Sequence, residues 1–259
     1  MTHSLERADK VLVALGHFDS RAAAQAAIAA GKVRVGGRVV SKPSEKISAS
    51  ARIEAEAEHP FVSRAGLKLA HALETFEIDP TGWSCLDVGA STGGFTEVLL
   101  VHGAQAVVAV DVGRDQLHRR LRNDTRVTSL EATDARALTN ADVGTPPRLI
   151  VCDASFISLH KLLEIPLSLA AQEASLIALF KPQFEVGREF VGKGGIVRDS
   201  AATARAEQAF VEWLTAQGWH IQARADSPIK GGDGNAERLI YAEKANPPAR
   251  AGSGQIAGG

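Results

Sequence analysis

The sequence predicts an α/β protein: a mostly parallel sheet with an antiparallel end, covered by helices and preceded by a small α+β domain. Three observations carry this. From about residue 61 onward the short apolar runs WSCLDVGA, AVVAVDVG, RLIVCDAS and SLIALFKP each end in polar or glycine residues, and they alternate with segments of helical spacing such as GFTEVLLVHGA and LHKLLEIPLSLAAQ. That alternation is the pattern of strands buried on both faces by crossover helices. WHIQARADSPIKGGDGNAERLIYAEK then reads as two strands joined by a loop, which gives the antiparallel end. Residues 1 to about 60 have a different texture, with too little apolar sequence to bury much alone.

In that first stretch Val11, Leu12 and Leu15 mark a short helix followed by a turn at Gly16. Ser20 is placed to cap a second, alanine-rich helix, which Gly31 stops. KVRVGGRVV alternates and turns at Gly36-Gly37, a hairpin signature. SASARIEAEAEHP supplies a last strand and an acidic stretch into Pro60, where the boundary is placed. Residues 1–48 hold eight basic side chains (Arg7, Lys10, Arg21, Lys32, Arg34, Arg38, Lys42, Lys46) against Glu6, Asp9, Asp19 and Glu45, a net of +4. Charge alone leaves two readings open, a solvated surface or a phosphate-binding face.

Across all 259 residues, 29 Lys and Arg balance 30 Asp and Glu for a net charge of −1, so any basic surface is local. Cys85 and Cys152 sit in apolar runs without metal-ligand spacing and read as buried, reduced thiols. No metal site is expected. The charged start MTHSLERADK is unlike a secretory signal, and no run approaches the ~18 apolar residues of a membrane span. A cytoplasmic protein with no membrane partner is expected. The tail NPPARAGSGQIAGG, residues 246–259, lacks core-forming residues and is expected to be disordered.

In open α/β sheets ligands bind beyond the carboxyl ends of the strands. The first such end here is LDVGASTGGFTEVLL, running through Asp87, Gly89, Ala90, Ser91, Thr92, Gly93 and Gly94. Gly89 lets the turn tighten, and Gly93 and Gly94 let backbone approach a ligand before a helix that starts near Phe95. The run lacks the second glycine of the dinucleotide fingerprint and more closely resembles motif I of methyltransferases that use S-adenosylmethionine. The next strand ends on Asp111, where a carboxylate can accept both hydroxyls of a nucleoside ribose. Asp134 follows the third strand and is assigned to the adenine. GREFVGKG mimics a phosphate-binding loop, but Gly194 stands where the magnesium-binding Ser or Thr belongs.

Four further polar residues fall on these edges: Lys68 on a helix before the sheet, Asp153 and Lys181 ending strands, and Glu237 opening the last strand. Gathered together, two lysines and two carboxylates can stay ionised or exchange protons without being left unpaired. Their order is similar to that of FtsJ-like ribose 2′-O-methyltransferases, and SRAGLKL, DVGASTGGF, DASFISL, KPQFEVG and GNAERL closely resemble the TlyA family. RADKVLVALG and SRAAAQAAIAAGKVRV resemble the alpha-L RNA-binding domain that begins that family, a domain similar to that of ribosomal protein S four. Two departures are Ala65-Gly66, where the family usually has two glycines, and Asp134, where it often has Asn.

The resemblance implies an RNA-binding domain over residues 1–60 and a Rossmann-like, S-adenosylmethionine-dependent methyltransferase domain over 61–245. It puts the catalytic tetrad on Lys68, Asp153, Lys181 and Glu237, and the cofactor on the Asp87–Gly94 loop, Asp111 and Asp134. It implies ribosomal RNA within ribosomal subunits as the partner, a cytidine ribose as the target, and RNA contacts from Arg7, Lys10, Ser20, Arg21, Lys32, Arg34, Arg38 and Lys42. On this reading Lys181 ends a buried strand so that its amine reaches the target hydroxyl, accepting its proton or stabilising its oxyanion. Asp153 and Glu237 hold the lysines and Lys68 adds positive field. The rival classes are a non-catalytic ribosome-assembly factor and a pore-forming haemolysin; the latter needs an apolar or amphipathic membrane element that the sequence does not clearly contain.

Overall fold

The computed structural model describes residues 5–18, 20–56 and 59–244. Asp19 and the 246–259 tail of the sequence expectations lie outside them. The chain divides between Pro60 and Phe61 into two compact units.

The first unit contains β1 (Leu5–Arg7), α1 (Ala8–Ala14), α2 (Arg21–Ala29), β2 (Val33–Val35), β3 (Arg38–Val39), β4 (Lys46–Ser48) and β5 (Ile53–Ala55). Strand β2 is central, antiparallel to both β3 and β5. The β2–β3 turn uses positive φ at both Gly36 and Gly37, 57° and 82°, which non-glycine residues rarely adopt. Ser20 caps α2 by accepting from the Ala23 N–H at 3.2 Å. The β1–β4 pair is invisible in the sequence, because LER and KIS are too short for any alternation to register. Leu12, Ile28, Val33, Val40 and Ile47 form the small core. At its edge Asp9 is fully buried and accepts from Arg7, Arg21 and Gln25, at 2.8 to 3.2 Å. These partners, the Arg7 bond first, hold its carboxyl far below the usual range against the burial that raises it.

The second unit contains α3 (Ala65–Thr75), β6 (Ser84–Val88), α4 (Gly94–Val101), β7 (Ala106–Val110), α5 (Arg119–Arg122), β8 (Val127–Leu130) and α6 (Asn140–Val143). It continues with β9 (Leu149–Cys152), α7 (Leu159–Ser168), β10 (Ser175–Phe180), α8 (Pro182–Glu185), α9 (Ser200–Ala216), β11 (Trp219–Asp226) and β12 (Arg238–Lys244). One seven-stranded sheet runs in the order β11-β12-β10-β9-β6-β7-β8. The last five of these strands are parallel, while β12 is antiparallel to both its neighbours.

Alternate strand residues face alternate sides. Leu86, Val88, Ile150, Cys152, Ala178, Phe180 and Ile240 face α7 and α9, whereas Cys85, Val107, Leu149, Val151, Leu179 and Leu239 face α3 and α4. This two-sided burial is why the strands read as unbroken apolar runs. Both cysteines are buried and unpaired, with thiols pushed up to about 12 chiefly by desolvation. The chain winds outward from β6 through β7 to β8, then returns to β9 on the other side of β6. That reversal opens a crevice at the carboxyl ends of β6 and β9.

Candidate active site

The crevice is narrow at its base. Gly89 has φ of 82°, and a Cβ there would lie 3.0 Å from the Ala154 Cα, so only glycine lets the β6 and β9 loops pass this closely. Above it lies a cavity of about 600 Å³ that includes Gly89, Ser91, Asp111 and Asp134. The Asp111 carboxylate accepts from the Ser91 N–H at 2.9 Å and the Gly113 N–H at 2.7 Å. These bonds fix it while leaving lone pairs for two hydroxyls. Val110, Ala135, Ile157 and Leu162 make the cavity apolar elsewhere, so a carboxylate next to a greasy slot suits a nucleoside. Asp134 is engaged with Arg136 at 2.6 Å and accepts from the Arg136 N–H, and Arg136 holds its carboxyl below the ordinary value.

A second cavity, about 380 Å³, shares Gly89, Ser91, Asp153, Ser155 and Phe156 with the first. Lys68, Asp153, Lys181 and Glu237 meet in it. Lys68 Nζ lies 2.5 Å from Glu237 Oε2 and 3.8 Å from Asp153 Oδ2. Lys181 Nζ lies 2.5 Å from Asp153 Oδ1, an ion pair without the angle of a hydrogen bond, and donates to Ser155 Oγ at 3.0 Å. Asp153 therefore bridges the two lysines. Lys68, Lys181 and Glu237 are 5–7% exposed, so the four charges balance each other in place of water. Glu185 ties the Lys181 loop to the Asp153 loop by accepting the Leu159 N–H at 2.8 Å, and its burial pushes it up to about 7.

Not every residue of the β6 loop reaches a ligand surface. Ala90, Thr92 and Gly94 line the second cavity, whereas Asp87 and Gly93 line neither. Protein neighbours crowd both glycines: a Cβ at Gly93, where φ is 94°, would lie 2.3 Å from Leu121 Cδ1, and one at Gly94 2.3 Å from Ser63 Oγ and 3.0 Å from the Gly66 backbone N. The loop is clasped between residues 63–66 and the 117–121 segment. Glu97 reinforces this, accepting the Val62 N–H at 2.5 Å and pairing with Arg120.

Asp87 is fully buried and accepts from Thr96 Oγ1 at 2.7 Å, while its Oδ1 has no hydrogen-bond partner among the described residues. Desolvation raises it to about 7; the Thr96 bond opposes this and the Asp153 charge adds to it. The unfolded value is lower, so the native state binds the extra proton and stability falls as pH rises from about 4 to 7. Asp87→Asn keeps the Thr96 bond and removes the charge. Its melting temperature should therefore gain on wild type between pH 5 and pH 8, by an amount that corresponds to a few kcal/mol. A difference that does not change with pH would refute this.

Sequence reasoning gave no role to Ser155, Thr96 or Phe156. Ser155 and Thr96 act through the Lys181 and Asp87 side chains, which only the fold brings to them. Phe156 is 91% exposed with φ of 68° and packs on Phe184 with ring centroids 5.2 Å apart, at the junction of the two cavities. The signal available was an aromatic three residues beyond a strand-end carboxylate, in DASF. Ser91 also has positive φ, 47°, so strained backbone gathers at this site.

In the first unit the predicted RNA contacts divide. Arg7 and Arg21 are held by Asp9, Arg38 pairs with Glu45, Lys32 lies 3.3 Å from Glu56, Arg34 donates to the Gly37 carbonyl, and Ser20 serves as the cap. Lys10 and Lys42 are exposed and make no ion pair among the described residues.

A reversing parallel sheet with an antiparallel end, a glycine turn after its central strand and a carboxylate after the next is the architecture of a Rossmann-like methyltransferase. Residues 61–244 match the FtsJ-like methyltransferase family and residues 6–53 the S4 domain. The chain is 45% identical over 237 residues to the 16S/23S rRNA (cytidine-2′-O)-methyltransferase TlyA of Mycobacterium tuberculosis, covering 91% of this chain and 88% of that one. It is 40% identical to Hemolysin A of Brachyspira hyodysenteriae, with 91% and 98% covered. A solved structure from Streptococcus thermophilus, described as a candidate hemolysin, superposes with a TM-score of 0.74 at 37% identity, covering 95% of this chain and 91% of that one. This chain belongs to the TlyA family of FtsJ-like methyltransferases.

Proposed function

We propose that this protein transfers a methyl group from S-adenosylmethionine to the 2′-hydroxyl of a cytidine ribose in ribosomal RNA, within ribosomal subunits in the cytoplasm. Residues 1–60 act as the RNA-docking domain and 61–245 as the catalytic domain. The observation that carries this is the opening of a nucleoside-sized cavity with a ribose-type carboxylate, Asp111, into a cavity built around Lys68, Asp153, Lys181 and Glu237.

When bound, S-adenosylmethionine supplies an electrophilic methyl on a positively charged sulfur. Asp111 would hold the cofactor's ribose hydroxyls, Asp134 and the apolar wall its adenine, and the side-chain-free backbone at Gly89 would leave room for it between the β6 and β9 loops. A ribose hydroxyl is a weak nucleophile at neutral pH, so the protein must align it and provide for its proton. Lys181 Nζ takes the hydroxyl proton while passing one to Asp153 Oδ1, 2.5 Å away, once the bound hydroxyl turns the amine into hydrogen-bond alignment with it. Ser155 fixes the direction of the amine, and Lys68, held on Glu237, adds positive field for the developing alkoxide. Exposed Phe156, packed on half-buried Phe184, presents an aromatic face at the cavity mouth, suited to stacking against a base drawn out of the RNA.

The test is transfer of labelled methyl from S-adenosylmethionine to isolated small and large ribosomal subunits, with the modified ribose mapped. Label on a cytidine 2′-oxygen is expected; no label on either subunit, with cofactor binding intact, would overturn the substrate. Lys10→Glu with Lys42→Glu should weaken subunit binding by about tenfold, since each exposed cation lost removes roughly one phosphate contact, and should leave cofactor affinity unchanged. Subunit affinity insensitive to both changes and to salt would remove the docking role from this face. A pore-forming role gains nothing from the fold: among the described residues no helix is long and apolar enough to cross a membrane.

A further inference from the structure

A third cavity lies at the same end of the sheet and has no part in the mechanism above. It is a groove of about 510 Å³ between α9 and the ends of β11 and β12, walled by Phe180, Pro182 and Val197. Glu237 lines both it and the tetrad cavity, so the two adjoin at that residue.

The groove is rich in fixed donors. Glu207 is 8% exposed, an expensive place for a carboxylate unless it is paired. It pairs with Arg224 Nε at 3.0 Å, an ion pair without the angle of a hydrogen bond, and accepts from Arg238 Nη1 at 2.9 Å, while Arg238 Nε donates to Asp226 Oδ1 at 3.4 Å. Among the described residues neither terminal nitrogen of Arg224 nor Nη2 of Arg238 donates a hydrogen bond. Arg198, at the rim, is exposed and makes no ion pair or hydrogen bond among the described residues. Its position is set from the site itself. Asn235, 3% exposed and two residues before Glu237, accepts the Val197 N–H at 2.9 Å and donates to the Gly195 carbonyl at 2.8 Å.

Glu207, Asp226 and Glu237 equal Arg198, Arg224 and Arg238 in number, but Glu207 and Glu237 are buried and paired. Arg198 stands exposed without an ion pair among the described residues, so the rim suits a ligand that brings acceptors and negative charge. Its volume is that of a nucleoside-sized site. We propose that this groove is a second RNA subsite, holding a nucleotide that adjoins the methylated one, with its phosphate on Arg198 and its base edge on Arg224 and Arg238. The proposal rests on the reading that the tetrad acts on RNA. It assigns sequence selection around the target to the catalytic domain, through fixed guanidiniums of the kind that read base edges.

The experiment uses the full chain and isolated ribosomal subunits. Ala204→Trp fills the groove from its exposed wall, and Arg198→Glu reverses the rim charge. Each should raise KM for the subunit by about tenfold, the loss expected for a good contact to one nucleotide, while calorimetric affinity for S-adenosylmethionine stays within about twofold. A photoreactive benzoylphenylalanine in place of Ala204 should crosslink to RNA at a nucleotide next to the modified one. The same group in place of Gln105, which precedes β7 at the amino ends of the parallel strands, should not. Wild-type KM in both variants together with no RNA crosslink at 204 would overturn the proposal. Absence of methylation by the wild type would instead remove the substrate proposed above, and the crosslink would still report whether the groove holds RNA.

Discussion

Lys181→Ala is expected to lower methyl transfer to ribosomal RNA by about 10³-fold or more, while S-adenosylmethionine binds nearly as well as to wild type. The magnitude follows from losing general-base assistance and a charge beside the nucleophilic oxygen in one substitution. The cofactor side follows from geometry: Lys181 lines the tetrad cavity and is absent from the wall of the nucleoside cavity. Lys181→Arg sharpens the test. A guanidinium preserves the positive charge but stays protonated, so it cannot relay a proton to Asp153. If the relay operates, Arg is as inactive as Ala; substantial activity in the Arg variant would mean that field alone suffices, and full activity in the Ala variant would remove Lys181 from the chemistry. Folding of both variants is checked by the cofactor titration itself.

How much of this was legible beforehand depends on the range of the interaction. Strands β6, β7, β9 and β10 announce themselves because burial on both faces makes them continuously apolar, and each of the last three announces its functional residue by ending on a charge: Asp111, Asp153 and Lys181. That Lys68 reaches Glu237, 169 positions away, follows only from α3 packing on the face towards which Lys181 and Glu237 turn. The glycines of the β6 loop were read as making room for a ligand; Gly94 does line the tetrad cavity but also abuts Ser63, and Gly93 faces Leu121, since a small residue does not declare which neighbour excludes its side chain. In the first unit Arg7 and Arg21 are bound to Asp9, a residue whose burial the sequence does not reveal. The short pair β1 and β4 and the guanidinium groove beside α9 carry no periodic signature at all, because they are made by residues distant in the chain.

Stability and chemistry can be separated at the Lys68–Glu237 pair. Glu237→Ala leaves the Lys68 ammonium buried with only Asp153, 3.8 Å away. An uncompensated buried charge of this kind costs about 3 kcal/mol, which for a domain of this size lowers Tm by roughly 6–12 °C. Replacing both partners by apolar residues of similar length, Lys68→Met with Glu237→Leu, removes the unpaired charge as well as the pair, and such exchanges are often neutral or stabilising. Asp153 is not stranded by the exchange, because Lys181 still lies 2.5 Å from it. The double variant is therefore expected to melt within a few degrees of wild type and to bind S-adenosylmethionine, yet to transfer no methyl group. If it melted as low as Glu237→Ala, the pair would be holding the fold together. If it kept wild-type transfer, the positive field of Lys68 would be dispensable and the catalytic group would shrink to Asp153 and Lys181. The expected pattern, native stability with chemistry lost, would mean that the charges are kept at a sheet edge that folds equally well without them, because the target hydroxyl needs them there.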